Sequence, residues 1–123
     1  MILNHMLNQQ PDLDRLFQAL ADPSRRAIVE RLSLGPAPVT ELAKPLPISL
    51  PATMQHIGIL EAAGLVHSRK IGRVRTCAIS PEALGLVEQW INARRIEWEH
   101  RLDRLGAYLQ TMNGEGNGDD QSE

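Results

Sequence analysis

The chain has 123 residues, with 13 basic and 15 acidic side chains, a net charge of −2, 42% hydrophobic residues and one cysteine. That length suits a single domain whose core needs neither disulfide nor metal, and the lone Cys77 excludes an intrachain disulfide and fits a reducing compartment. No apolar run is long enough to span a membrane, and MILNHMLNQQ lacks the basic start and cleavage pattern of a signal peptide, so a soluble, cytoplasmic protein with no membrane partner is expected.

The first ten residues are assigned to an N-terminal extension. From Pro11 the pattern turns helical. Proline is tolerated in a first turn, and Asp12 and Asp14 complement the positive end of a helix. Leu13, Leu16, Phe17 and Leu20 share one apolar face, and this helix is expected to end near Ala21. Asp22 and Pro23 restart the pattern as N-cap and first-turn proline. The second helix carries Ala27, Ile28, Arg31 and Leu32 at helical spacing and stops at Gly35-Pro36. Thr40 is the predicted cap of a short third helix over Glu41, Leu42 and Ala43. Pro45 and Pro47 end it, since neither can continue the hydrogen-bond ladder.

Ser49 caps the predicted fourth helix, and Gly64 supplies its C-terminal stop. Thr53, Ile57 and Leu60 project to one side and are predicted core; Leu50, Pro51, Met54, Gln55 and Gly58 project to the other. A strand starts at Leu65-Val66, turns through Ile71-Gly72-Arg73 and returns over Val74 to Ile79. Ser80-Pro81-Glu82 opens a long helix, 81–111. Leu84, Val87, Ile91, Trp98, Leu102, Leu105 and Leu109 stay in one stripe over roughly 39 Å. A stripe longer than its own core points to a second copy of the chain, so these residues, with Leu13, Leu16 and Phe17, form the predicted homodimer interface. A helix packed only on its own domain is the alternative. Residues 113–123, rich in Gly, Asp and Ser, are expected to be a disordered acidic tail.

The order short helix, turn, second helix and basic ribbon is that of a winged helix-turn-helix that reads double-stranded DNA. The fold class expected is mainly α with a small β-hairpin: about five helices and a two-stranded wing over residues 11–112, dimerising through its terminal helices. The net charge argues at first against DNA. However, the tail holds Glu115, Asp119, Asp120 and Glu123 and no base, which leaves 13 basic and 11 acidic residues on the body. Arg69, Lys70, Arg73 and Arg75 fall within seven positions with no acid among them. A local basic ribbon suffices for phosphate contact, although taken alone the same hairpin also suits ordinary solvated charges.

A recognition helix needs one face buried and one free for the major groove. Leu50, Pro51 and Met54 offer apolar contact for thymine methyls, and Gln55 carries the donor–acceptor pair that matches adenine. Ser49 begins this face. His56 lies between the two faces, placed either to meet a phosphate or to pack. Gly58 costs about 1 kcal/mol against alanine in a helix, which suggests close approach to a backbone or base edge; a tolerated surface glycine is the alternative. Arg73 and Arg75 alternate with Val74 and are expected to share a strand face, with Arg69 and Lys70 opposite. Arg25, Arg26 and Arg31 are expected to be solvated or paired with acids.

ALADPSRRAIVERL (19–32), VTELAKPL (39–46), SLPATMQHIGILEAAGLV (49–66) and RKIGRVRTCAIS (69–80) resemble the ArsR/SmtB-like (arsenic-repressor-type) winged-helix regulators. The likeness runs from about Leu13 to Leu109, and WINARRIEWEHRLDRLGAYL (90–109) is similar to a branch with Trp and Arg in the final helix. The resemblance implies a homodimer that binds a palindromic operator, usually as a repressor, and often releases it when an effector binds. It matches Leu50, Pro51, Met54 and Gln55 to base-facing positions, and Arg73 and Arg75 to the wing. Metal-sensing members carry Glu-Leu-Cys-x-Cys in the third helix, where this chain has Glu41-Leu42-Ala43-Lys44-Pro45. A second metal pattern is represented only by His100 and scattered acids.

No metal site and no cofactor are therefore expected, and Cys77 reads as a small core residue. Whether a small-molecule effector exists is left open. An effector-responsive sensor with an unrecognised ligand or metal site, and a winged helix used only for protein contact, are the alternative functions. No Gly-rich phosphate loop or Ser/His/Asp arrangement supports an enzyme.

Overall fold

A computed structural model describes residues 12–121, with side chains described to residue 114. The predicted extension 1–10, the Pro11 helix start and residues 122–123 lie outside the described residues. The chain divides into two compact units, one ending at Val87 and one beginning at Glu88.

In the first unit, α1 (Leu13–Leu20) is capped by Asp12, whose carboxylate accepts from the Asp14 N–H at 3.0 Å. Helix α2 (Pro23–Leu32) follows at once because Asp22 caps it twice, accepting from Ser24 N–H at 2.8 Å and Arg25 N–H at 3.1 Å. Both starts agree with the cap-then-helix pattern of the sequence. Gly35, at φ 137°, turns the chain into β1 (Ala37–Pro38). Helix α3 (Val39–Ala43) begins two residues earlier than predicted. Its N-cap is Pro38, without a side-chain cap bond, and Thr40 sits inside the helix rather than at its cap. Pairing of β1 brings the chain to Pro38 in extended form, so the helix starts where that pairing ends.

Helix α4 (Leu50–Ala62) starts on Ser49, whose hydroxyl accepts from the Ala52 N–H at 3.2 Å. It closes with Leu65 N–H donating to Leu60 O and Gly64 N–H to Glu61 O, each at 3.0 Å, with Gly64 at φ 83°. This pair of bonds is a Schellman closure, and it needs the left-handed glycine. Strands β2 (Val66–Ile71) and β3 (Val74–Ile79) form the wing hairpin around Gly72 at φ 64°.

The sheet has three strands, in the order β1-β3-β2, all antiparallel. The expected two-stranded wing thus gains β1, with Ala37 opposite Cys77. Two residues containing a proline carry no alternating pattern, so the added strand has no sequence signature.

The core of this unit gathers Leu16, Ile28, Leu32, Leu42, Ile57, Leu60, Leu65, Val66 and Cys77, with Ala83 and Val87 from the first turns of α5 (Pro81–Gln121). Full burial of each leucine contributes about 1.5–3 kcal/mol. The inward face predicted for α4 is buried; in α1 Leu16 is buried together with Ala19 while Phe17 is 37% exposed, and in α2 Ile28 and Leu32 are buried together with Val29.

Two predicted dimer residues are consumed here. Leu16 is wholly buried and Val87 nearly so, so they have little area left for a partner; Leu13 and Leu84 are partly buried against the same core. The short first helix has to cover its own domain before anything else.

The second unit is the rest of α5. Ile91, Trp98, Leu102, Leu105 and Leu109 are exposed along it, as are Tyr108 and Met112. Arg94 stands 5.2 Å over the Trp90 ring and pairs with Glu97 at 3.2 Å. The helix extends to Gln121. No helix among the described residues is long and apolar enough to cross a membrane.

Candidate nucleic-acid interface

Helix α4 has the two faces that a reading helix requires. Thr53, Ile57 and Leu60 are at most 3% exposed, whereas Leu50 and Met54 are 45% and 50% exposed. Ser49, Pro51, Gln55 and Gly58 are exposed with them. Thr53 is buried without an unsatisfied hydroxyl, because it donates to Ser49 O at 3.1 Å. A methyl group built on Gly58 meets nothing within 4 Å. The packing of this chain therefore does not demand a glycine at that position.

The wing stands beside the N-terminal turns of α4. Leu50 and Met54 of the helix, Pro38 to Thr40 and Arg73 to Arg75 line a groove of about 250 Å³. Most of its lining residues are apolar, and Arg73 and Arg75 are among them. Arg69, Lys70, Arg73 and Arg75 are all exposed. Among the described residues, none of Arg69, Lys70 and Arg73 is ion-paired with an acid.

The register corrects one expectation. Arg73 lies in the turn, not in β3, so it does not share a strand face with Arg75. Lys70 pairs with Arg75 across the hairpin, while Arg69 pairs with Thr76. Opposite residues share a face and neighbours alternate, so Lys70 and Arg75 stand on one face and Arg69 on the other.

Three arginines of α2 do work that charge counting did not reveal. Arg25 donates through Nε to Ala19 O at 2.8 Å and through Nη2 to Gln18 O at 3.2 Å. Arg26 donates to Leu20 O at 2.8 Å. Both reach back to carbonyls at the end of α1, where few backbone donors remain; of these, Gln18 O also accepts from the Ala21 N–H at 3.2 Å. Only Arg31 pairs with an acid as expected, meeting Glu41 at 3.3 Å, and it also donates to Gly35 O. His56 is half-buried, with Nδ1 3.2 Å from Arg25 Nη1 and 4.0 Å from Asp22 Oδ1. It packs between helices α2 and α4, the packing alternative of the sequence reading, rather than standing free at the DNA-reading face.

Sequence reasoning missed Glu61 and Ser68. The Ser68 hydroxyl donates to Glu61 Oε1 at 2.7 Å and accepts from Arg75 Nη1 at 2.8 Å. Their juxtaposition depends on hairpin register and helix placement, neither of which leaves a local pattern. Cys77, directly opposite Ser68, is fully buried. Burial pushes its thiol pKa up, and the nearby Glu61 carboxylate adds to that while Arg75 opposes it. The thiolate is the form that reacts or binds metal, so this sulfur is held in its inert state. No group of three or more His, Cys, Asp and Glu side chains able to hold a metal ion occurs among the described residues.

Comparison with known proteins places this geometry. A family profile described as a helix-turn-helix domain matches residues 20–69, from the end of α1 into the wing. The HTH-type transcriptional regulator Rv2034 of Mycobacterium tuberculosis is 43% identical over 104 residues, covering 84% of this chain and 91% of that protein. The crystal structure of an ArsR family transcriptional regulator, RHA00566, is 53% identical with a TM-score of 0.67, covering 71% of this chain and 96% of that one.

The chain belongs to the ArsR family of helix-turn-helix transcriptional regulators.

A further member of similar build, an ArsR-like transcriptional regulator from Rhodococcus sp. RHA1, is 30% identical with a TM-score of 0.64, over 81% of this chain and 91% of that one. The ArsR-family fold accounts for the winged helix, and the protein is a DNA-binding transcriptional regulator, not an enzyme.

Proposed function

We propose that this ArsR-family regulator is a repressor that binds a palindromic operator as a homodimer. Each protomer lays the exposed face of α4 in the major groove and its wing on the adjacent backbone or minor groove. The observation that carries the reading is the pairing of surfaces on one side of the first unit. Leu50, Pro51, Met54, Gln55 and Gly58 form an exposed face without charge, and the exposed cations Arg69, Lys70 and Arg73, which have no acidic partner among the described residues, stand on the neighbouring wing. Selectivity then comes from helix shape, thymine methyls and Gln55. Affinity comes from phosphate contacts by the wing and from having two protomers.

The exposed apolar residues Ile91, Trp98, Leu102, Leu105 and Leu109 support dimerisation through the C-terminal part of α5. They form a stripe about 27 Å long, and soluble monomers seldom leave so much contiguous apolar surface in water. Half-sites are then separated by about one turn of DNA, roughly 34 Å. A regulator of this kind works where the chromosome is, in the cytoplasm of a bacterium.

Titration of a duplex from the region upstream of the protein's own gene, at several salt concentrations, tests the reading. Binding much tighter than to random duplex, with affinity falling steeply as salt rises, is expected. Equal affinity for both duplexes would defeat specific regulation.

A further inference from the structure

We propose that Ser68 is a positioning residue that locks the wing arginine Arg75 to the end of the reading helix, so that helix and wing meet DNA as one preformed surface. The inference rests on the reading that the wing contacts DNA.

Three elements meet at this hydroxyl. Glu61 belongs to the last turn of α4, Ser68 to β2 and Arg75 to β3. The Arg75 guanidinium donates to Ser68 Oγ at 2.8 Å, and Ser68 donates its single proton to Glu61 Oε1 at 2.7 Å. Both bonds are short, and each has a charged group at one end, which makes them stronger than neutral hydrogen bonds. They run in one direction, from guanidinium to hydroxyl to carboxylate, so each polarises the next. Arg75 and Glu61 make no direct ion pair; the hydroxyl spans them.

The geometry favours presentation of Arg75 over its sequestration. Arg75 uses one terminal nitrogen on Ser68 and remains exposed. Its guanidinium has five N–H donors in a fixed fork, which leaves most of them for a phosphate. The same residue lines the groove that Leu50 and Met54 also line. Anchoring one edge removes rotamer freedom before binding, and binding then need not remove it. Glu61 places a negative charge close to the DNA-facing surface. On charge alone it would weaken binding; holding Ser68 gives it a reason to be there.

Duplex binding by Ser68→Ala, Ser68→Thr, Glu61→Ala and Arg75→Ala, over a range of salt, separates positioning from charge. Ser68→Ala is expected to lose about two- to tenfold in affinity for every duplex. Its salt slope should match wild type, because Arg75 keeps its charge. Arg75→Ala should lose affinity and about one unit of salt slope. Ser68→Thr keeps the hydroxyl on a residue suited to a strand and should restore binding. Glu61→Ala should bind more weakly, although removal of an acid near DNA by itself predicts tighter binding. Wild-type affinity in Ser68→Ala, or tighter binding in Glu61→Ala, would overturn the proposal.

A measurement without DNA keeps the two layers apart. The Arg75 Nε–H group in the free protein should be ordered in wild type and Ser68→Thr by nitrogen relaxation, and mobile in Ser68→Ala. An Arg75 already mobile in wild type refutes the lock whatever the DNA result. An ordered Arg75 with no salt-steep binding would instead reject the DNA role of the wing.

Discussion

Arg25 and His56 stand 3.2 Å apart, guanidinium Nη1 to imidazole Nδ1, and join the first turn of α2 to the middle of the reading helix. Arginine has no acceptor, so in the neutral tautomer that makes this bond Nδ1 of His56 offers its lone pair and Nε2 carries the proton. The same guanidinium also holds two carbonyls at the end of α1. One side chain thus ties three helices together, and its loss leaves part-buried acceptors without their donor. Arg25→Ala is expected to cost about 1–3 kcal/mol of stability, measured by urea unfolding, whereas Arg15→Ala, at an exposed site on α1, should change stability little.

Acid should act on the same junction through Asp22. Hydrogen bonds from the Arg25 N–H above all, then from Ser24, with His56 and Arg25 charges adding, hold its pKa below the usual value, against an opposing effect of burial. A carboxyl with a depressed folded-state pKa stabilises the fold above its unfolded value, near 3.9. That stability disappears as the pH falls through the lower folded value. Asp22→Asn keeps a capping oxygen but cannot ionise, so its stability should vary less with pH below about 4 than that of wild type. Parallel acid unfolding curves for the two proteins would contradict this.

Gly58 offers a test in which stability and function move in opposite directions. Nothing in the chain crowds a methyl at this position, so Gly58→Ala should raise helix stability by up to about 1 kcal/mol. If α4 approaches DNA closely there, the same methyl should weaken operator binding. A rise in melting temperature with unchanged affinity would mean that the helix keeps its distance at this turn.

The wing and the helix should fail differently when mutated. Arg73→Ala removes a turn cation that has no acidic partner among the described residues, so it should weaken binding to all sequences and reduce the salt slope by about one. Gln55→Ala should leave the slope alone and relax preference at one base position. Unchanged affinity in Arg73→Ala would remove the turn from the interface.

For the dimer, a charge in the exposed stripe is decisive. Leu102 and Leu105 are about half exposed on α5. Leu102→Asp should shift the protein from dimer to the 13.7 kDa monomer at micromolar concentration in light scattering, without loss of helical content. A wild-type monomer at that concentration would refute the stripe as an interface.

Much of this protein is legible locally. Asp22-Pro23, Ser49 and Gly64 mark helix ends because a cap, a first-turn proline and a left-handed glycine satisfy or spare backbone groups within a few residues. The inward face of α4 follows from spacing alone, since helical residues three and four apart lie on one side. The wing turn follows from Gly72 in the same way. These features are set by interactions between near neighbours, so they are written in order along the chain.

What joins distant residues is not written that way. The third strand β1, the burial of Leu16 and Val87 in their own core, the reach of Arg25 to α1 and His56, and the Glu61–Ser68–Arg75 chain all required the fold. Each depends on register or on how one helix lies against another, and a shift of one residue would send the same side chains to the opposite face. The sequence by itself determined the elements, the reading helix and the basic wing. Only the tertiary structure decided which charges are free to meet DNA and which are held by hydrogen bonds within the protein, because a side chain's partner is set by proximity in space, and proximity across long stretches of chain exists only once the core has packed.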